Sequence, residues 1–435
     1  MILNVLNISR LAGQYPILPH FIIGNSQNCA TIFLMKALYL SPMFDPAHIR
    51  KDFPVLEKYV YLDNAATTQT PRQVVEAMCD YFYIYAASHG RGAHRLARET
   101  TNHYEDAREA VAGFIGGDYE HTIFTRNTTE SINMVALGLD WEAGDHVITT
   151  HIEHHSNLLP WLRLKEKGVE VTVVTPNSDG TINPNDIDSA ITEKTKLVAI
   201  THVSNVFGSV MDVEEITKIA QRNGCMSLVD AAQSVGHMPF DLKKIDCDFM
   251  AVPGHKGMLG PQGTGVLYLK DTDSIRPTYL GGGTVYAVTE DDYKLEDAPG
   301  RFEAGTPNIP GVIGLGRGVE YVKALGVEDI QRHEEGLARD AARRLSEIDK
   351  VEVYGPSERA AVVPFNVIGL NPHDVAMILD ETKKICVRSG HHCAIPSIKL
   401  LKVEGTVRAS FGAYNLPEEV DLLVDTMEQI ATTLT

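Results

Sequence analysis

From about residue 121, short β-branched apolar runs alternate with segments whose apolar residues recur at helical spacing. Residues 121–125 read as a strand and 130–139 as a helix. The next strand is expected over 146–149, followed by a helix over 156–167. Further strands are expected over 171–174, 197–201, 227–229, 249–252 and 265–269. A helix over 213–221 stops at Gly224, a favourable C-terminal signal. This alternation predicts an α/β fold with a mainly parallel sheet covered on both faces. Near Gly305 the rhythm changes. Longer helices are expected over 311–325 and 329–345, then short strands over 351–354 and 363–367. A helix over 372–383, strands over 385–387 and 407–411, and a helix starting at Pro417 complete the pattern. The change predicts a large domain over 45–308, its N-terminal segment packing toward a smaller α+β domain over 309–435. Gly281-Gly282-Gly283 and the acidic residues after it read as a long loop between functional regions. No repeat or low-complexity tract interrupts the chain.

The 435 residues are enough for two or three domains. A formal net charge of -18 argues against nucleic acid as a partner. Residues 1–44 contain no Asp or Glu, and Arg10 and Lys36 are their only strong bases. Their longest apolar run, 30–35, is too short to span a bilayer, and the segment is not arginine-rich. It reads as a non-core extension, with Met43 an alternative start and no membrane role. The six cysteines, Cys29, Cys79, Cys225, Cys247, Cys386 and Cys393, form no CxxC pair. They fit free thiols in a reducing, cytoplasmic setting. Cys225, Cys247 and Cys386 read as small buried hydrophobes.

Three candidate chemical features fall at predicted strand ends, where open α/β sheets bind ligands. Asn127-Thr128-Thr129-Glu130 offers hydroxyls and free N–H groups at a helix start, suited to a phosphate or to an ordinary cap. Asp230 closes the apolar run Leu228-Val229. A carboxylate there needs a cationic partner unless it caps the next element. Lys256, in Pro253-Gly254-His255-Lys256-Gly257, follows an apolar strand. A buried lysine with a depressed pKa forms Schiff bases, whereas an exposed one merely decorates a turn. His151, Glu153, His154 and His155 invite a metal reading, as do His391, His392 and Cys393. No paired thiolate cluster accompanies either group, so no metal is expected.

Taken in this order on an α/β pattern, the three features resemble the fold-type I pyridoxal-phosphate enzymes, and more closely the class V aminotransferase family. Tyr61-Leu62-Asp63-Asn64-Ala65-Ala66 resembles that family's usual opening. Several further segments resemble its group II, Suf-type cysteine desulfurase branch. They are Thr128-Thr129-Glu130-Ser131-Ile132-Asn133, Glu153-His154-His155-Ser156-Asn157, and Thr201-His202-Val203-Ser204-Asn205. Two more are Arg301-Phe302-Glu303-Ala304-Gly305-Thr306-Pro307-Asn308 and Arg388-Ser389-Gly390-His391-His392-Cys393-Ala394. The resemblance spans Asp45 to Thr435. It implies a homodimer with a sheet of seven-stranded type and pyridoxal 5'-phosphate held as a Schiff base on Lys256. Asp230 would pair with the ring nitrogen, His154 would stack on the ring and assist proton transfer, and Gln233 would bond the ring oxygen. Thr128, Thr129 and His255 would hold the phosphate, joined by Thr306 of a second copy. Asn205, Arg388 and Arg408 would bind substrate.

The implied reaction takes sulfur from L-cysteine, leaving L-alanine and a persulfide on Cys393. A Suf-type acceptor would receive that sulfur for iron–sulfur cluster assembly. Arg388, His391 and His392 are the groups expected to favour the thiolate. Selenocysteine lyase and cysteine sulfinate desulfinase share this pattern, and a catalytically weak sulfur-carrier scaffold is the alternative outside enzymes. One position departs from the family. Pro253 stands where a Ser or Thr hydroxyl is usual, and proline offers neither hydroxyl nor N–H.

Overall fold

The computed structural model describes residues 44–434. The expected extension, 1–44, lies outside the described residues except for Phe44. A two-residue strand, β1 (Val60–Tyr61), precedes β2 (Thr122–Thr125), β3 (His146–Thr150), β4 (Glu170–Val174) and β5 (Thr195–Thr201). β6 (Met226–Asp230), β7 (Phe249–Pro253) and β8 (Gly265–Leu269) follow. β2 to β8 form one seven-stranded sheet in the order β2-β8-β7-β6-β5-β3-β4. All of its strands are parallel except β8, which runs antiparallel to both neighbours.

The period-2 alternation of these strands feeds two cores. Val198, Ile200, Val229, Met250 and Val252 face one side of the sheet. Leu197, Ala199, Leu228, Phe249 and Ala251 face the other. Burying each large apolar side chain contributes about 1.5–3 kcal/mol. Helices Arg95–Ile115, Val213–Arg222 and Ile309–Leu325 cover the first side, and Thr128–Gly138 the second. Helix Ile309–Leu325 thus packs into the core of the large sheet although it follows residue 308. Its Gly316 permits this: a Cβ there would lie 2.6 Å from that of Ala107.

Two expectations are corrected. Residues 156–167 are not one helix but a 3₁₀ turn His155–Asn157, a helix Leu159–Arg163 and a second 3₁₀ turn Leu164–Lys167. Pro160 has no N–H to continue a helix from 156 and instead suits the first turn of a new one. Asn157 is meanwhile drawn to the Glu153 carboxylate at 2.7 Å. The stretch after Gly283 is not a loop. It holds an antiparallel hairpin of β9 (Val285–Val288) and β10 (Tyr293–Leu295), with the acidic residues in its turn. Thr289 closes that turn by donating its N–H to the Asp292 carbonyl at 2.7 Å.

The second sheet contains β11 (Val351–Val353) and β12 (Val362–Val367). After β13 (Ile385–Cys386) it gains β14 (Arg388–Gly390) and β15 (Thr406–Ser410), in the antiparallel order β11-β12-β15-β14. Helices Val327–Ser346, Pro372–Lys383 and Pro417–Leu434 close its core. β13 pairs in parallel with β1, matching Val60 to Ile385 and Tyr61 to Cys386. This pairing launches residues 62–68 from the small sheet toward the large one. Among the described residues no helix is long and apolar enough to cross a membrane.

Candidate active site

Segments leaving β2, β3, β5, β6 and β7 at their carboxyl ends surround a cavity of ≈ 180 Å³. Lys256, Asp230, His154 and Gln233 line it, as do Thr128, Thr129, Asn205 and His255. The sequence brings Lys256 there by close backbone packing. A Cβ on Gly254 would lie 2.1 Å from Thr264 Oγ1, and one on Gly257 2.3 Å from the Val235 carbonyl. These glycines are required by crowding rather than by flexibility. Thr68 fastens the same turn, donating its hydroxyl to the Lys256 carbonyl at 2.8 Å.

Asp230 is buried and Lys256 is half-buried, and among the described residues neither forms an ion pair. Burial lowers the Lys256 pKa to about 8, with Asp230 opposing the shift and the two site arginines adding to it. Burial raises the Asp230 pKa to about 6, against the Ala232 N–H that its carboxylate accepts at 3.0 Å. Unpaired buried charges cost several kcal/mol each. The cavity therefore has two unmet demands: a carbonyl carbon for the amine and a cationic N–H for the carboxylate.

Its other end suits an anion. Asn127 caps the helix by accepting the Glu130 N–H at 3.0 Å, so the ordinary cap exists. The hydroxyls of the next two residues remain available to other groups. Thr128 Oγ1 is buried with no partner, and Thr129 Oγ1 lies 2.6 Å from Ser156 Oγ. Ser156 Oγ also lies 2.9 Å from His154 Nδ1, which accepts the Ser156 N–H at 3.1 Å. Burial, reinforced by Lys256, holds the His154 pKa near about 3, so its ring is neutral. Burial and Lys256 likewise lower the His255 pKa to about 4, with its Nδ1 3.0 Å from Thr67 Oγ1. Gln233 is oriented by donating to the Ala65 carbonyl at 2.8 Å.

A single-ring aldehyde bearing a phosphate fits this donor set, with Lys256 and Asp230 at one end and Thr128 and Thr129 at the other. Sequence reasoning gave Ser156 no role. Its link to Thr129, 27 residues earlier, exists only once β2 and β3 share a sheet.

Cys393 sits at the edge of this region and is exposed. Gly390, His392 and Cys393 have φ of 101°, 53° and 56°, all in the left-handed region. For the two non-glycine residues this conformation costs roughly 1–2 kcal/mol each, so the loop needs outside support. Arg388 Nη2 donates to Cys393 Sγ at 3.4 Å. His392 differs from expectation. It is buried, its Nε2 lies 2.8 Å from Thr406 Oγ1, and burial lowers its pKa to about 2. It supplies no charge to the thiol, which leaves Arg388 as the cation in contact with Sγ.

Arg408 is fully enclosed, donating to the Asn205 carbonyl at 2.9 Å and to Asp63 Oδ1 at 3.0 Å, with Nε unpartnered. Burial lowers its pKa to about 10 despite Asp63. Asp63 is a second residue that sequence reasoning left without a role, although it lies in the Tyr61–Ala66 segment. Asn205 Nδ2 donates to the His392 carbonyl at 2.8 Å, so part of its donor capacity already holds the cysteine loop. Thr306 is not brought to Lys256 within one chain. It lines a separate cavity of ≈ 600 Å³ with Arg126 and Glu303. Cys225 and Cys247 are buried as expected, whereas Cys386 is only half-buried, near Asp380 and Asp63. Among the described residues no three His, Cys, Asp or Glu side chains are grouped to hold a metal ion.

The aminotransferase class-V family profile matches residues 60–423. A probable cysteine desulfurase of Methanothermobacter thermautotrophicus is 51% identical over 390 residues, covering 88% of this chain and 97% of that protein. The apo cysteine desulfurase of Thermococcus onnurineus NA1 superposes with a TM-score of 0.88 at 46% identity, covering 90% of this chain and 100% of that one. The cysteine desulfurase CsdA (S-sulfonic acid) of Escherichia coli superposes with a TM-score of 0.84 at 34% identity, covering 90% and 99%. The architecture is that of the fold-type I pyridoxal-phosphate enzymes. The chain belongs to the class-V aminotransferase family, which depends on that cofactor.

Proposed function

We propose that this protein is a cysteine desulfurase that converts L-cysteine to L-alanine and carries the released sulfur as a persulfide on Cys393. The observation that carries the reading is an exposed, Arg388-contacted thiol whose loop is tied by Asn205 to the wall of the Lys256 cavity. Pyridoxal phosphate, when bound, supplies an electron sink for charge developing at the substrate Cα. Lys256 and Asp230 would hold its ring end, and Thr128, Thr129 and His255 its phosphate. Gln233 and His154, which line the same cavity, would flank the ring.

The protein's own groups supply the rest. Arg408 offers its unpartnered Nε–H and a rigid guanidinium to the substrate carboxylate. Burial lowers the Lys256 pKa to about 8, so its amine gives up a proton far more readily than an ordinary lysine and takes the Cα proton. Arg388 stabilises the Cys393 thiolate, which attacks the substrate sulfur. One S–S bond forms and one C–S bond breaks. The carbon keeps the electron pair and is protonated to alanine, so no outside oxidant or reductant is needed. His154 is neutral and stands ready to relay a proton.

The loop from Gly390 to Ile395 is short, so an acceptor must dock beside Cys393 to take the sulfur. A Suf-type acceptor serving iron–sulfur cluster assembly fits this requirement. A homodimer is also proposed. It is supported by the exposed Phe82, Tyr83 and Ile84 and by Thr306, which lines a cavity other than the Lys256 cavity of its own chain. The exposed free thiols of Cys79 and Cys393 suit a cytoplasmic setting. The test is Cys393→Ala in the holoenzyme. Alanine formation from cysteine should vanish while the cofactor's absorbance persists. Undiminished desulfuration by this variant would sink the assignment.

A further inference from the structure

We propose that His155 is a positioning residue for the reactive thiol, gripping the cysteine loop at Cys393 and again at Ile395. This rests on the desulfurase reading for its purpose, but not for its geometry. The backbone N–H of His155 donates to the Cys393 carbonyl at 2.7 Å. Its ring Nε2 accepts the Ile395 N–H at 3.1 Å. One residue, 240 positions away in sequence from Ile395, thus holds the chain immediately before and after Ala394.

Three features show why this grip is needed. First, His392 and Cys393 are consecutive left-handed residues, a conformation that does not persist without external ties. Second, the helix Ile395–Leu400 has no side-chain cap of its own, because Ala394 occupies the cap position and Pro396 lacks an N–H. The His155 ring acts as that cap from another segment. Third, other ties from the cavity-wall segments reach residues on either side of the thiol. Asn205 holds the His392 carbonyl at 2.8 Å, and Ser397 Oγ donates to the His151 carbonyl at 2.9 Å. Asn205 thus secures the N-terminal side of Cys393, and His155 supplies the ties at Cys393 and at the start of the following helix.

The ring's protonation state follows from the geometry. A backbone N–H only donates, so Nε2 must keep its lone pair and the proton sits on Nδ1. A charged ring would set one N–H against another. Burial and the neighbouring His391 both favour the neutral ring. His155 also follows His154, whose ring lines the cavity. The segment that walls the cofactor cavity therefore also sets the thiol's position relative to it. A reacting group misplaced by an ångström loses about 10²-fold in rate.

The test uses the full-length holoenzyme with His155→Gln and His155→Leu. Gln carries a carbonyl that can reach the Ile395 N–H, and Leu carries none. In the wild type, amide exchange at Ile395 should be slow. In His155→Leu it should accelerate about tenfold or more, and Cys393 alkylation by iodoacetamide should change rate. kcat for alanine release should fall about 10- to 100-fold with KM and cofactor absorbance unchanged, and His155→Gln should recover most of it. Fast exchange at Ile395 in the wild type would overturn the proposal without any variant. A kcat within about twofold of wild type in His155→Leu, or equal impairment of Leu and Gln variants, would overturn it too. Absence of alanine production by the wild type would instead refute the desulfurase reading, and the exchange and alkylation results would still decide the grip.

Discussion

The cavity around Lys256 and the loop around Cys393 solve opposite problems. The cavity buries charged groups with too few partners, and its strain is electrostatic: Lys256 and Asp230 are each pushed toward neutrality. The loop exposes its reactive group, and its strain is conformational: two consecutive left-handed residues are fastened by neighbours. A ligand relieves the first, whereas only protein contacts relieve the second. The difference teaches that cofactor binding and thiol presentation are separable properties, joined through His154, His155 and Asn205.

The largest expected effects break that pairing one half at a time. Lys256→Ala should lower desulfuration by at least about 10³-fold and let the cofactor dialyse away. Cys393→Ala should lower it as far with the cofactor retained, as read by absorbance after gel filtration. Asp230→Asn comes next. Removing one charge from a buried pairing costs about 3 kcal/mol, so cofactor affinity should weaken about 10²-fold in an equilibrium titration. The same variant should leave Cys393 alkylation unchanged.

A pH prediction sharpens the cavity half. Only the uncharged amine condenses with an aldehyde, and the folded-state pKa of Lys256 is depressed to about 8. Cofactor loading of the apoprotein should therefore rise about tenfold per pH unit below 8 and level off above it, whereas an ordinary lysine would keep rising to about 10.4. Stopped-flow absorbance measures this, and a rate still climbing past pH 9 would contradict the shift. The smallest effect is that of Pro253→Ser. Pro253 ends β7 on the cavity wall. A new hydroxyl there should tighten cofactor binding about fivefold. Unchanged affinity would show that the Ser156 hydroxyl already meets that need.

The parallel sheet was legible because β5, β6 and β7 are continuous apolar runs buried on both faces, a pattern that survives any tertiary context. The ends of those strands then located Asp230 and Lys256. Helix Ile309–Leu325 was legible as a helix but not as part of the large core, because its packing depends on glycines that read locally as helix breakers. Helices Arg72–Asp80 and Arg95–Ile115 lie before the point where strand–helix alternation begins, so that rhythm did not reveal them. Ser156, Asp63 and His155 escaped for another reason. Each acts through a partner distant in sequence: Thr129, Arg408 and Ile395. No local signal encodes such pairings. The two departures in the cysteine loop, a neutral His392 and an already engaged Asn205, likewise follow from burial that spacing does not report.

The central claim, that sulfur passes from substrate to Cys393, is tested most directly by a single turnover. Holoenzyme mixed with one equivalent of L-cysteine, without acceptor or reductant, is quenched, and alanine is quantified beside the mass of the peptide containing Cys393. The account predicts one alanine for each Cys393 that has gained one sulfur atom, with Cys79 and Cys386 unmodified. Alanine formed with no sulfur gained at Cys393, or sulfur gained elsewhere, would contradict it.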